Sequence, residues 1–306
     1  MGKFEGLSRQ RYLEQAPVRS FVDYLVELLA GNRLDHGYEI DDKRWQKRRR
    51  EMGLTNEMVI CSLDDARQQY FWMTEVDSSD GDDLPNPTTA CDLESNTKRL
   101  EKLAKALTTA IEADHEGKAF LAAMAVLDWG QVWRGSAKWL IRHHQAGRLI
   151  ARISDATSIL SGSTHDGLDR FDDDDLRLDS GLTKVYSLAS RNRSIIYDDR
   201  VAAALGLLVG KHCRLSAAHP KAPALLRFAA GSAVKGRRPN SLFKRAGFET
   251  KKVGGGGRVW AKWNLRANWI LASALQRHQQ ENRGKSVWKT IRDIEAALFM
   301  VGYRIA

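Results

Sequence analysis

Cysteine and long apolar runs are both scarce in this sequence of 306 residues. The three cysteines, Cys61, Cys91 and Cys213, are widely separated, which argues against a disulfide framework and against a four-cysteine metal centre. No apolar run reaches the roughly 18 residues of a membrane-spanning helix, and the N-terminus, MGKFEGLSRQRYLEQ, lacks the apolar core of a signal peptide. We therefore expect an intracellular, cytoplasmic protein with no membrane partner and no metal site.

Acidic residues are scarce in the last third of the chain. Residues 200–306 contain 21 Lys and Arg against 4 Asp and Glu, a net charge of +17, whereas residues 1–199 contain 27 against 34, a net charge of −7. A basic surface of this kind binds polyanions, largely through counterion release. The asymmetry predicts DNA binding by the last third, including a basic glycine-containing loop at 235–257. The alternative is a solvated basic face that serves solubility.

Apolar residues recur at helical spacing, and the composition, 43% hydrophobic and 28% charged, is that of an ordinary globular protein. The segment DSSDGDDLPNPTT at 77–89 predicts a loop, near which we place a domain boundary. The sequence thus predicts a mainly α fold, with an N-terminal helical extension at 1–92 and a second helical domain at 93–306. The clearest helices are expected at 18–29, 95–113, 117–127, 260–280 and 287–301.

The stretch LRLDSGLTKVYSLASRNRSIIYDDRVAAA, residues 176–204, combines a lysine and an aspartate in a pattern suited to chemistry. Its first part predicts the end of one helix, a glycine-containing hairpin, and a new helix that carries Lys184. Asp198 follows an apolar run and is placed to cap the next helix. The backbone N–H groups of the hairpin are expected to hold a DNA phosphate, at Gly181, Leu182 and Thr183.

These residues resemble the helix-hairpin-helix DNA glycosylases, and within them the 8-oxoguanine branch. That family carries a hairpin of the type LPGVGTKVA and then an apolar run ending PVDxHV; this chain has LDSGLTKV at 178–185 and IYDDRV at 196–201. The hairpin here has one glycine where the family usually has two. The resemblance implies a two-lobed helical fold, a nucleophilic Lys184, a catalytic Asp198, and Arg200 in place of a phosphate-contacting histidine.

The proposed chemistry explains these residue types. Breaking an N-glycosidic bond develops positive charge on the deoxyribose, which the carboxylate of Asp198 would stabilise. A desolvated Lys184 would attack C1′, form a Schiff base and permit strand cleavage at the abasic site. Taken singly, such an aspartate is more often a helix cap and such a lysine a surface residue. Their joint occurrence with the hairpin and the basic last third favours an enzyme.

Further site residues are expected outside the motif. The resemblance implies that Gln131 fills the gap left by a flipped base. Basic residues interleaved with aromatics near the C-terminus are suited to contacting phosphates and an everted base, and here they are Lys262 and Arg266. The alternative for the tryptophans, Trp133 among them, is a place in the core. The residues expected to line a base pocket are Trp129, Tyr186, Trp260 and Trp263.

The sequence therefore predicts a monomeric DNA glycosylase without a cofactor, which flips a modified base out of duplex DNA and leaves an abasic site. Two substrates stay open: an oxidised purine such as 8-oxoguanine, or a phage-type hypermodified cytosine such as glucosyl-hydroxymethylcytosine in antiviral defence. The alternative from another class is a non-catalytic helix-hairpin-helix DNA-binding protein. A third candidate is a nuclease that uses the acidic run at 172–175 as a metal site, although a solvated loop is favoured there.

Overall fold

The computed structural model describes residues 6–73, 92–173, 175–191, 193–215, 221–229, 248 and 257–305. The prediction of a mainly α fold is confirmed for these residues, and no helix among them is long and apolar enough to cross a membrane. Strands β1 (His36–Glu39) and β2 (Glu57–Ile60) pair antiparallel. The helices are α1 (Arg9–Leu13), α2 (Ala16–Leu29), α3 (Lys43–Glu51), α4 (Leu63–Gln68), α5 (Leu93–Glu112), α6 (Glu116–Trp129), α7 (Arg134–Gln145), α8 (Leu149–Leu160), α9 (Leu182–Ala189), α10 (Asp199–His212), α11 (Gly257–Glu281) and α12 (Ile291–Val301), and one-turn 3₁₀ helices cover Leu168–Phe171 and Ala224–Leu226.

Side-chain caps determine where several helices begin. α5 follows Asp92, whose carboxylate accepts a hydrogen bond from Ser95 N at 2.8 Å. α12 begins later than the predicted residue 287, because Thr290 and Asp293 form a capping box. α2 carries Pro17 in its first turn, where proline costs no helical hydrogen bond, and it buries one apolar face.

The N-terminal segment is not helical throughout, and it shares its core with the C-terminal helices. Tyr38 of β1 donates a hydrogen bond to Met300 O of α12 at 2.6 Å. Trp288 Nε1, just before α12, donates to Leu29 O of α2 at 2.9 Å. α2 packs along α11, and α4 packs along α12. The residues expected to form a helical extension therefore cover the apolar faces of the C-terminal helices.

The helices that follow the predicted hairpin, α9 and α10, lie in the centre of the fold, and every residue from Leu182 to Leu188 is buried. The prediction that a helix ends near Leu178 is wrong. α8 ends at Leu160, and residues 161–173 and 175–181 form loop structure that contains one 3₁₀ turn. Gly167 in this loop has a φ of +78°, a conformation that glycine adopts without strain and that is incompatible with a continuing helix.

Candidate active site

Lys184 and Asp198 meet at the junction of α9 and α10. Lys184 Nζ lies 3.5 Å from Asp198 Oδ2, and the two side chains are only 6% and 11% exposed. The same Nζ donates a hydrogen bond to Ser180 O at 2.8 Å. Charges at this depth are stable only when they are paired and hydrogen-bonded, as these are. The two residue types that the sequence singled out therefore form one buried ion pair.

Asp198 divides its two oxygens between two tasks. Oδ1 accepts hydrogen bonds from Arg200 N at 3.0 Å and Val201 N at 3.1 Å, which confirms the prediction that Asp198 caps the following helix. Oδ2 faces Lys184. Because the positive end of the α10 dipole also acts on this carboxylate, the negative charge is stabilised at a fixed position.

Asp179 sets the start of α9, and with it the position of Lys184. Its Oδ1 accepts hydrogen bonds from Gly181 N at 3.0 Å, Leu182 N at 2.9 Å and Ser136 Oγ at 2.6 Å. Burial alone would raise the pKa of Asp179, but these hydrogen bonds and a neighbouring arginine hold the pKa below its usual value.

The phosphate contacts predicted for Gly181, Leu182 and Thr183 are not supported by this geometry. The amides of Gly181 and Leu182 bind the Asp179 carboxylate, and Thr183 N donates to Asp179 O at 3.0 Å. Thr183 Oγ1 is also occupied, since it accepts hydrogen bonds from Tyr197 N at 2.9 Å and Asn264 Nδ2 at 3.1 Å. The polar groups of these hairpin residues therefore make hydrogen bonds within the protein.

A pocket lies over Lys184 and Asp198. Its empty volume is about 460 Å³ when space open to solvent is included. The polar lining includes Asn96 and Thr97, and four aromatic residues contribute to the lining, namely Tyr70, Trp72, Trp129 and Phe299. The Trp129 side chain is anchored, because its Nε1 donates to Asn96 Oδ1 at 3.0 Å. Aromatic side chains of this kind stack on planar rings, and here they have to move apart before a ring can enter beside the lysine and the carboxylate.

No protein-family model, curated protein or solved structure matches this chain. Only the geometry and chemistry of the site therefore bear on function.

Of the residues predicted for the base pocket, Trp129 lines the pocket and the other three do not. Tyr186, Trp260 and Trp263 are fully buried in the core. Tyr186 donates from its hydroxyl to Arg177 O at 2.8 Å, and Trp260 packs edge-on against Tyr197 at 5.0 Å between ring centroids. The structure therefore places these three residues in the core, where Tyr186 packs against Trp139 and Trp263 against Phe228, and not in the lining of this pocket.

The sequence reasoning missed most of the pocket. Tyr70 and Trp72 follow α4, whereas Phe299 lies on α12, so residues that are far apart in the sequence line the same pocket. The closely spaced aromatic residues in the run YFW at 70–72, directly before the acidic loop, were the available signal. Nothing in the local pattern indicated that they would meet α12.

Arg200 does not have the exposed position that a phosphate contact requires. It is buried, and its guanidinium lies over the rings of Phe299 at 4.1 Å, Trp45 at 4.6 Å, Tyr303 at 4.8 Å and Trp72 at 5.5 Å. This aromatic cage, formed by Trp45, Trp72, Phe299 and Tyr303, stabilises a cation by its ring faces. The predicted phosphate contact is not supported, and Arg200 instead joins α10 to the N-terminal and C-terminal segments.

Lys262 and Arg266 line a second cavity, which shares no lining residue with the pocket over Lys184. Arg266 is buried, and its Nε donates to His165 Nε2 at 3.3 Å. Asp166 and Asp169 also line the cavity and offset much of its positive charge. These two predicted DNA contacts therefore do not adjoin the candidate active site, and much of the predicted basic loop at 235–257 lies outside the described residues.

Gln131 lies beside the site, in the turn between α6 and α7. It is exposed, has a φ of +52°, and donates from Nε2 to Met73 O at 2.8 Å. Its neighbour Gly130 is in close contact with the Lys184 side chain. Trp133 in the same turn is 45% exposed, so the alternative of a place in the core is wrong for this residue. The role predicted for Gln131 stays a prediction.

The acidic run does not gather into a cluster where it is described. Asp175 pairs with Arg152 at 2.8 Å, and Asp172 lies 4.0 Å from Arg258. Across the described part of the chain, no group of three or more His, Cys, Asp or Glu side chains is placed to hold a metal ion.

Proposed function

We propose that this protein is a DNA glycosylase of the helix-hairpin-helix type, which excises a modified base from duplex DNA and leaves an abasic site. The observation that carries the proposal is the 3.5 Å approach of Lys184 Nζ to Asp198 Oδ2 beneath a pocket with aromatic lining. The motif resemblance and the +17 charge of residues 200–306 support it independently.

The reaction assigns one task to each residue. As the bond between C1′ and the base nitrogen breaks, its electron pair leaves with the base, and the Asp198 carboxylate stabilises the positive charge on the sugar. The Lys184 ammonium gives one proton to the departing base nitrogen, and the resulting amine forms a bond to C1′. A second proton then moves from the lysine nitrogen to the ring oxygen O4′ as the C1′–O4′ bond breaks, which leaves a protonated Schiff base between Lys184 and the opened sugar. Water then releases the lysine, or loss of a C2′ proton expels the 3′ phosphate and cuts the strand.

The pocket supports a flipped base as the group that is recognised. Aromatic side chains bind any base by stacking, and extrusion is least costly for a base that is damaged or mispaired. The free space is narrow, so entry of a base requires the aromatic side chains to move apart. The two substrate classes are an oxidised purine and a phage-type hypermodified cytosine. We expect the protein to act as a cytoplasmic monomer without a cofactor.

One observation favours the non-catalytic alternative. A buried lysine that pairs with a helix-capping aspartate and also binds a backbone oxygen has all its contacts inside the protein. Such a pair also occurs as a structural element that holds two helices together. In that case the protein would bind DNA through its basic last third and would have no use for a reactive Lys184.

Base release from a panel of oligonucleotides separates the two functions. The panel contains 8-oxoguanine, other oxidised bases and unmodified DNA, together with phage DNA that carries glucosyl-hydroxymethylcytosine. Wild type is compared with Asp198→Asn, Lys184→Gln and the control Lys98→Gln, whose lysine forms an exposed pair on α5. Asparagine keeps the helix cap but leaves the buried Lys184 without its carboxylate partner, so the Tm of Asp198→Asn is measured as well to show that the variant is folded.

Loss of base release in Asp198→Asn with retained DNA binding supports the glycosylase. Unchanged release in that variant removes the assignment of Asp198. If Lys184→Gln still releases the base but is no longer trapped by borohydride, Lys184 acts only in the strand-cleavage step. DNA binding by wild type with no release from any member of the panel supports the non-catalytic alternative.

A further inference from the structure

Two buried charges on α12 connect the elements that carry Lys184 and Asp198. Arg292 and Glu295 are 8% and 6% exposed, and they are hydrogen-bonded to each other. Both line the pocket over the candidate active site. A buried ion pair usually adds little stability compared with well-packed apolar residues, so the hydrogen bonds that this pair makes to neighbouring elements bear more on its role.

Glu295 holds the segment that leads to Asp198. Its Oε2 accepts a hydrogen bond from Ile196 N at 2.6 Å, two residues before Asp198. This bond crosses from α12 to the extended segment in front of α10, and it fixes where that segment runs. The position of the Asp198 carboxylate therefore depends on α12 as well as on its own helix.

Arg292 holds the helix that carries Lys184. Its Nη2 donates to Ser187 Oγ at 2.9 Å, and Ser187 follows Lys184 by three residues on α9. The Ser187 hydroxyl in turn donates to Ser194 O at 2.6 Å, at the start of the segment that ends in Asp198. Through one serine, Arg292 thus connects both halves of the candidate site.

Electrostatics also couples the pair to the site. Burial raises the pKa of Glu295, whereas Arg292 and the hydrogen bond from Ile196 N lower it, and the Asp198 carboxylate raises it further. The charge of Glu295 and the charge of Asp198 therefore influence each other through the pocket that both residues line.

We infer that Arg292 and Glu295 are positioning residues, which hold Lys184 and Asp198 at the separation that base excision requires. The inference rests on the proposed glycosylase function. Neither side chain is assigned a bond to the substrate; each acts through a hydrogen bond to the element that carries a reacting group. A displacement of about 1 Å at a reacting group can cost on the order of a hundredfold in rate.

Four variants test the inference. Glu295→Ala removes the acceptor for Ile196 N, Glu295→Gln keeps an acceptor there, and Ser187→Ala removes the acceptor for Arg292. The control is Asp293→Ala, which weakens the exposed capping box of the same helix and leaves both connections intact. For each variant the measurements are the single-turnover rate of base release, the Kd for DNA, borohydride trapping and Tm.

We expect Glu295→Ala and Ser187→Ala to release base more slowly than Asp293→Ala, by about tenfold or more, with the Kd for DNA unchanged. Glu295→Gln should recover most of the rate of base release that Glu295→Ala loses. Ser187→Ala should also give a low yield of the borohydride-trapped complex between protein and DNA. Ser187→Ala and Glu295→Gln carry the test if Glu295→Ala does not fold. The positioning role is overturned if Ser187→Ala, and Glu295→Ala where it folds, release base at rates within about threefold of the rate of Asp293→Ala. That result would not contradict the proposed glycosylase function. A wild type that releases no base overturns the proposed function itself.

Discussion

Gly130 lies directly against the side chain of Lys184. A Cβ atom at position 130 would be 2.5 Å from Lys184 Cδ and 2.9 Å from Lys184 Cε, much closer than the roughly 3.5 Å at which carbon atoms make favourable contact. The turn after α6 therefore determines the course of the lysine side chain. Without a side chain at 130, Lys184 can reach Asp198 along this course.

Replacing Gly130 by alanine should displace the Lys184 side chain from Asp198. If the proposed function holds, Gly130→Ala slows base release by about tenfold or more, with little change in DNA affinity, because the substitution leaves the basic residues of 200–306 unchanged. Single-turnover kinetics and borohydride trapping measure the effect. The control is Gly117→Ala near the start of α6, where a Cβ would make only ordinary contacts. Equal rates in the two variants would show that the contact at 130 has no part in placing the lysine.

Asp179 should make the free energy of unfolding depend on acid pH. Its pKa is held below the usual value by hydrogen bonds despite burial, so the unfolded state binds a proton more readily than the folded state. The stabilisation that the ionised Asp179 carboxylate gives the folded state is therefore fully present above its ordinary pKa of 3.8. It is lost as the pH falls through the lower pKa that Asp179 has in the folded state. We expect Asp179→Asn to cost about 1–3 kcal/mol at neutral pH, with the difference from wild type shrinking below pH 3.8.

Urea unfolding from pH 7 to pH 2 measures this dependence. The control is Asp23→Asn, which removes an exposed carboxylate paired with Arg277 and should change stability by less than about 0.5 kcal/mol. A constant difference between Asp179→Asn and wild type across the whole range would contradict the assigned role of the carboxylate.

Arg200 should contribute to stability and not to the salt dependence of DNA binding. Arg200→Met removes the cation from the aromatic cage and should cost about 2 kcal/mol or more, because the site is desolvated. Loss of a phosphate contact would instead lower the slope of log Kd against log salt by about one. Thermal unfolding and DNA titrations at several salt concentrations distinguish the two. A reduced slope with unchanged Tm would restore the phosphate contact that the motif implied.

The fragment 93–306 should not fold by itself. Residues 6–73 cover the apolar faces of α11 and α12, and hydrogen bonds such as that from Tyr38 to Met300 O connect the two ends of the chain. Removing them exposes apolar surface whose burial is worth about 25 cal/mol per Å². Circular dichroism and limited proteolysis of the fragment measure the outcome. A cooperative thermal transition in the fragment would support a separate domain from residue 93.

Local patterns were enough to predict several helices and the helix cap at Asp198. The apolar spacing of 18–29 and 95–113 gave helices within a few residues of α2 and α5, because helical periodicity and caps are properties of neighbouring residues. The capping role of Asp198 followed in the same way from the residues on either side of it.

What surrounds Lys184 and Asp198 was decided only by tertiary packing. The aromatic lining contributed by Tyr70, Trp72 and Phe299, the cage around Arg200, and the connections from α12 all depend on contacts between residues 99 or more positions apart in the chain. The burial of Tyr186, Trp260 and Trp263 also could not be decided from the sequence. The residues next to an aromatic side chain in the sequence do not show whether it lines a pocket or packs in the core. Periodicity reports which face of a helix is apolar, but only the packed chain determines what that face meets.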